Sequence, residues 1–381
     1  MAPHTEATRL LTRHFFRRFF DNDLISPQGD GHENLALVFA ALAVPGLLVS
    51  VLLLFEYFNP IASPAQRLLF ALDHKFLYLA CSMIVMALVT LVEWDALALD
   101  ARDFAILGPL PIERRVLVGA KLRALALFAA AFAVAVNAIP TLVYPALSMG
   151  TLPISFARVG WVMIVHAATS VAAATFAFLA LVALREVLRG LLGARLFRRV
   201  SVVVQFASVL ALVTALLLLP GLSSRISSPV LSRGGPAVYL SPPMWFLGLY
   251  ETLRAGAVLG APGADVPGRR DLWKTAADQR ARSVYRGHEP VFHRLAGIAL
   301  AALAIAGVVA IGGYAINARR VVGHVSVSES RVRRWLRRRV SFATARVVVR
   351  HPVSQAGFFF TSDGAVVLPR RRTAGRLHGP G

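Results

Sequence analysis

The chain has 381 residues, 56 % of them hydrophobic, and carries 41 Lys and Arg against 20 Asp and Glu for a formal net charge of +21. That apolar content exceeds a soluble domain's, and the length fits one membrane domain rather than several globular ones. The basic excess sits beside apolar runs with no recognition module near it, which argues for lipid headgroups and against nucleic acid, and the single cysteine, Cys81, excludes an intrachain disulfide and a cysteine-based zinc site.

Taken from the N-terminus, residues 1–34 read as an amphipathic cytoplasmic segment. On a helical wheel Leu11, Phe15, Phe16, Phe19 and Phe20 share one half, while Arg13, His14, Arg17 and Arg18 share the other. This is the pattern of a helix lying in the membrane interface. A targeting-like or disordered tail is the alternative.

Six charge-free apolar runs follow: Leu35–Phe55, Phe76–Val92, Ala124–Leu147, Val159–Leu184, Val200–Leu219 and Leu295–Ile316. Each matches the roughly 20 helical residues that cross a hydrocarbon core. The first begins too late, is too long and lacks a cleavage pattern, so it reads as a retained span and not a signal peptide. The expected fold class is an all-α polytopic membrane protein with six transmembrane helices and an N-terminal interfacial helix.

Basic residues alternate between the connections. The second connection carries Arg102, Arg114, Arg115, Lys121 and Arg123, and the fourth carries Arg185, Arg189, Arg195, Arg198 and Arg199. The intervening short connections hold Arg67, Lys75 and Arg158. The positive-inside rule then places both termini in the cytoplasm, with residues 221–294 of the six-span domain 35–316 external. Three lysines among so many arginines, with abundant alanine, suit a GC-rich bacterial genome and hence the inner (plasma) membrane.

Val238–Leu259 is apolar enough to be considered a seventh span, yet Glu251 and Arg254 are costly at mid-bilayer. It is expected to be re-entrant or interfacial. Residues 317–362 read as a basic cytoplasmic segment, with Arg331–Arg339 at lipid headgroups, and 363–381 as a disordered tail. The abrupt change after Gly357–Thr361 is expected if the end is truncated or frameshifted.

Several chemistries lack their motifs. None of the three lysines follows a glycine, so no phosphate-cradling loop is present. His288 and His293 are five apart with Pro290 between them, which does not make a zinc-binding helix face. The spans contain no Asp for an aspartyl protease, and no GxSxG is present. No catalytic residue, metal site or cofactor is therefore assigned to this chain. Intramembrane polar residues are few; Asn137, His166 and Thr169 are candidates for a translocation path, with interhelical hydrogen bonding as the plainer role.

The stretch Glu93–Lys121 is the most unusual connection. It interleaves Glu93, Asp95, Asp100, Asp103 and Glu113 with Leu97, Phe104, Ile106, Leu107, Leu110 and Ile112, broken by Gly108-Pro109-Leu110-Pro111. Acids with apolar anchors suit docking into a groove on a soluble partner, the alternative being an amphipathic loop on the membrane surface. The order Asp100, then Leu110-Pro111-Ile112, then Arg114-Arg115, then Lys121 resembles bacterial type-2 ATP-binding-cassette exporter permeases, as do the interfacial helix and six spans over roughly residues 9–316. Longer relatives continue into further spans, so the chain is similar to the front half of such a member.

That resemblance implies a coupling helix in this connection, with Asp95, Asp100, Asp103, Phe104, Leu107, Pro111, Arg114, Arg115 and Lys121 at or near the docking surface. It implies a separate ATPase subunit holding ATP and Mg²⁺, and a second permease copy or homologue. Competing functions are a membrane enzyme acting on lipid-linked substrates and a non-transporting scaffold or sensor.

Overall fold

The structure is a computed structural model that describes residues 2–19, 31–57, 64–97, 113–149, 156–233, 235–259, 290–319, 359–360 and 366–367. The chain forms two compact units, Met1–Val322 and Gly323–Gly381.

The first unit is helical: α1 (Ala2–Arg18), α2 (Gly31–Tyr57), α3 (Pro64–Val92), α4 (Arg114–Met149), α5 (Phe156–Arg233), α6 (Pro236–Leu240), α7 (Pro242–Leu259) and α8 (Pro290–Arg319). Among the described residues, six stretches are long and apolar enough to cross a bilayer. They are Ala36–Glu56, Ala71–Val92, Arg115–Leu147, Val159–Gly193, Arg195–Gly221 and Pro290–Arg319, and they coincide with the six apolar runs. Among the described residues the first unit is an all-helical, multi-pass membrane domain.

The helices overrun the apolar runs. Helix α3 starts before Lys75 and α4 starts at Arg114, so residues read as connection are helical. Spans four and five belong to one element, α5, interrupted at Gly193 with φ 68° and ψ 169°. That region of backbone space is essentially restricted to glycine. The expected connection 185–199 is thus two helical limbs meeting at one residue.

Helix α3 is the centre of the bundle. Of its most apolar stretch 78 % is enclosed, against 6 % for the second limb of α5, whose Val202, Phe206 and Leu217 are exposed. Lipid is as apolar as these side chains, so helices in a membrane associate through close packing and polar contacts. Small residues mark the contacts: Ala129 and Ala133 on α4, Ala173 and Ala174 on α5. At Gly46 of α2 a Cβ would lie 2.8 Å from Pro140 Cγ and 3.0 Å from the Val136 carbonyl oxygen. Pro140 lacks the N–H that would otherwise bond that carbonyl, and α2 makes its close approach to α4 there.

Polar links cross the same interfaces. Tyr78 of α3 donates to Ser50 Oγ of α2 at 3.0 Å, and Ser82 of α3 donates to the Ser170 carbonyl of α5 at 3.3 Å. Helix α1 is amphipathic as its sequence predicts: Leu11, Phe15 and Phe19 are buried while Arg13, His14, Arg17 and Arg18 are exposed. Just past its end, the Phe19 ring packs 4.8 Å from Phe128, holding the end of α1 against α4.

Helix α7 runs against the first limb of α5. Trp245 and Phe246 meet Phe176, whereas Tyr250 meets His166, nearer the start of that limb. Helix α7 therefore begins near mid-bundle and rises toward the end where α3 and α5 begin. Gly248 permits the approach of α8, since a Cβ there would lie 2.4 Å from Leu295 Cβ.

In the second unit Phe359–Phe360 and Val366–Val367 pair antiparallel, Phe359 opposite Val367. Val366 and Val367 fall within the stretch expected to be a disordered tail; the basic run 331–339 lies outside the described residues.

Candidate functional site

Polar side chains gather at the two opposite ends of the bundle. At one end, here the α1 end, α3 finishes, α4 starts, α5 breaks and α8 finishes. At the other, the α7 end, α3 and α5 begin and α4 finishes.

The α1 end carries the roots of the 98–112 connection. The chain leaves α3 through a turn in which Leu97 N–H bonds the Glu93 carbonyl at 3.1 Å. Trp94, fully buried in that turn, donates through Nε1 to Ser201 Oγ of α5 at 2.8 Å. Lys121 reaches back from α4 and donates to the Ala96 carbonyl at 3.0 Å. Its ammonium also sits 5.0 Å and 4.8 Å from the ring centres of Phe15 of α1 and of Phe19 just beyond it. Both roots are thereby tied to α1, α3, α4 and α5. Beside them, burial pushes the Glu93 carboxyl up from its ordinary 4.5 to about 7, with the Lys121 charge acting in the opposite direction.

Behind this footing lies a second buried group. Arg185 donates to Glu186 Oε1 at 2.7 Å, and Asn317 of α8 donates to Glu186 Oε2 at 2.7 Å and to its carbonyl at 3.0 Å. The Arg185 guanidinium also faces Trp94 and Phe197. The two limbs of α5 and the end of α8 are joined to the footing through this one arginine and its neighbour.

At the α7 end, Lys75 of α3 pairs with Glu251 of α7, and Arg254 donates from Nε to the second carboxylate oxygen at 3.0 Å. His74 and Glu56 pair at 2.7 Å between α3 and α2. His166 is wholly enclosed, its ring centre 5.5 Å from Tyr78, 5.2 Å from Tyr144 and 5.8 Å from Tyr250. Neither ring nitrogen meets a hydrogen-bond partner among the described residues. Among those residues no group of three His, Cys, Asp or Glu is arranged to hold a metal ion.

The residues expected from sequence distribute as follows. Asp95 is exposed on the turn after α3, and Arg115 is exposed on the first turn of α4. Lys121, expected at or near the docking surface, is buried, enclosed by its carbonyl and ring partners. Asp100, Asp103, Phe104, Leu107 and Pro111 lie outside the described residues, as does the Arg114 side chain. Of the path candidates, Asn137 bonds the Ala133 carbonyl and Thr169 bonds the Val165 carbonyl, both within their own helices. His166 is held among tyrosines from three helices.

Sequence reasoning missed Lys75, Glu251, Arg185 and Glu186 as buried partners. Their signal was their position at the margins of apolar runs, where a charge either reaches water or finds a mate. The tyrosines around His166 had no shared pattern. No family model, curated protein or solved structure matches the chain.

Proposed function

We propose that this chain is the permease subunit of an ATP-driven exporter of the type-2 ATP-binding-cassette kind, in a bacterial inner membrane with both termini cytoplasmic. A separate ATPase, holding ATP and Mg²⁺, docks on the 94–123 connection, and a second permease copy or homologue completes the translocation unit. The observation that supports this best is the footing of that connection. Lys121, Trp94 and Ser201 tie both roots to four helices, so displacement of a docked partner would be delivered to most of the bundle at once. Basic residues concentrate at the same end, in keeping with the cytoplasmic side.

The alternative of an enzyme acting on lipid-linked substrates has less support. Its best candidate group, His166 with the neighbouring Lys75 and Glu251, is enclosed by aromatic rings and reaches neither solvent nor lipid.

The test is co-purification with an ATPase encoded beside this chain. Phe104→Asp and Leu107→Asp should each remove a docking anchor, at about 2 kcal/mol or more for an interface hot spot, without altering the yield of folded permease. Full complex formation and full transport in both variants would defeat the proposal.

A further inference from the structure

Helix α1 and the start of α4 enclose a cleft of about 380 Å³. Three arginines converge on it, Arg9 and Arg13 from successive turns of α1 and Arg123 from α4. All three are exposed, and none makes an ion pair with a described acid. Glu6, the acid of α1, does not pair with them either. Like charges one helical turn apart oppose each other, so Arg9 and Arg13 gain from an anion between them.

The rest of the lining is apolar or internally bonded. Phe16 and Leu127 form the apolar wall, and Thr12 directs its hydroxyl to the Thr8 carbonyl at 2.8 Å. Leu127 is itself 53 % exposed and continues down α4 into exposed Val134, on the span Arg115–Leu147. The cleft thus places a cationic rim directly above a lipid-facing strip. A soluble anion would satisfy the rim and leave the strip unused. A lipid with a phosphodiester head and an acyl chain satisfies both.

We propose that this cleft is a binding site for an anionic phospholipid, with Arg9, Arg13 and Arg123 around the headgroup phosphate and the acyl chain along Leu127 and Val134. The occupant fills the wedge between α1 and α4 and completes the seating of α1. The inference stands apart from the exporter reading, since Arg123 enters it as a residue of helix α4 and neither the 98–112 segment nor a partner is used.

The experiment uses the full chain, stripped of lipid in a neutral detergent and titrated with phosphatidylglycerol or phosphatidylcholine, with retention read by native mass spectrometry. Phosphatidylglycerol should be retained in preference to phosphatidylcholine, and sn-glycerol 3-phosphate should not displace it. Each of R9Q, R13Q and R123Q should weaken retention about fivefold, and the triple variant about a hundredfold. A control variant, R195Q/R198Q/R199Q, neutralises exposed arginines at the same end of the bundle and should retain the lipid as the parent does. Equal retention of the two lipids would overturn the proposal, as would undiminished binding by the triple variant. So would a loss in the control as large as in the triple variant, which would reveal diffuse surface attraction. Displacement by glycerol phosphate would make the site one for a soluble anion. Unchanged size-exclusion profiles in all variants guard against misfolding, because all six positions are exposed.

Discussion

Lys75 and Glu251, 176 residues apart in sequence, form an ion pair inside the wall between α3 and α7, with both side chains almost fully enclosed. Arg254 serves the other oxygen of the same carboxylate. Glu251 therefore has two cationic neighbours, and the two ends of the pair are not equivalent to mutation.

Replacing Glu251 by Leu removes the carboxylate that Lys75 and Arg254 share and should destabilise the protein by about 3–5 kcal/mol. Lys75→Met leaves Glu251 with Arg254 and should be milder. The double variant Lys75→Met/Glu251→Leu should recover much of the loss, because both members of the enclosed pair are then apolar and Arg254 keeps partial access to the surface. Thermal unfolding in detergent measures all three; a double variant worse than either single would refute the pairing as described.

Gly46→Ala should drive its new methyl into the Pro140 ring and cost about 1–3 kcal/mol. Pro140→Ala deletes the ring atoms in contact and should relieve part of that cost in the same chain. In a double-mutant cycle the double variant should lose less stability than the sum of the two single losses, with additive effects as the contrary result.

Gly193→Ala places a Cβ at φ 68°, ψ 169° and should destabilise by about 1–3 kcal/mol, although nothing crowds the site. The penalty is conformational, so no second substitution of a neighbour should repair it. A fully stable Gly193→Ala protein would mean that the limbs of α5 meet with a different backbone.

Glu93 gives stability a pH dependence. Its carboxyl is raised to about 7 from 4.5 by burial, so the folded protein holds a proton that the unfolded chain has released between those values. Stability from this group is complete below about pH 4.5 and declines as pH rises toward 7. Glu93→Gln should flatten that decline. Unfolding midpoints at a series of pH values provide the check, and an unchanged slope would exclude Glu93 as the source.

The spans were legible because a bilayer sets a length and a composition at once, and six runs met both. Helix α1 was legible because Leu11, Phe15 and Phe19 recur at helical spacing. What the sequence concealed were relations between distant residues. Glu251 advertised a cost without naming Lys75 as the residue that meets it. Lys75 and Arg185 looked like loop charges because runs were delimited by the first charge met, whereas helices continue past it. The tyrosines around His166 come from α3, α4 and α7, and no local period connects them. Gly193 was invisible among many glycines, since its role is a single backbone angle.

Lys121 gives the α1 end an unusual genetic property. One ammonium holds the Ala96 carbonyl on one side and the rings of Phe15 and Phe19 on the other. Substitutions in α1 and in the turn after α3 act on elements with no direct sequence relation, yet both alter the setting of the same side chain. Their effects should be epistatic, and suppressors of defects in one should be recoverable in the other.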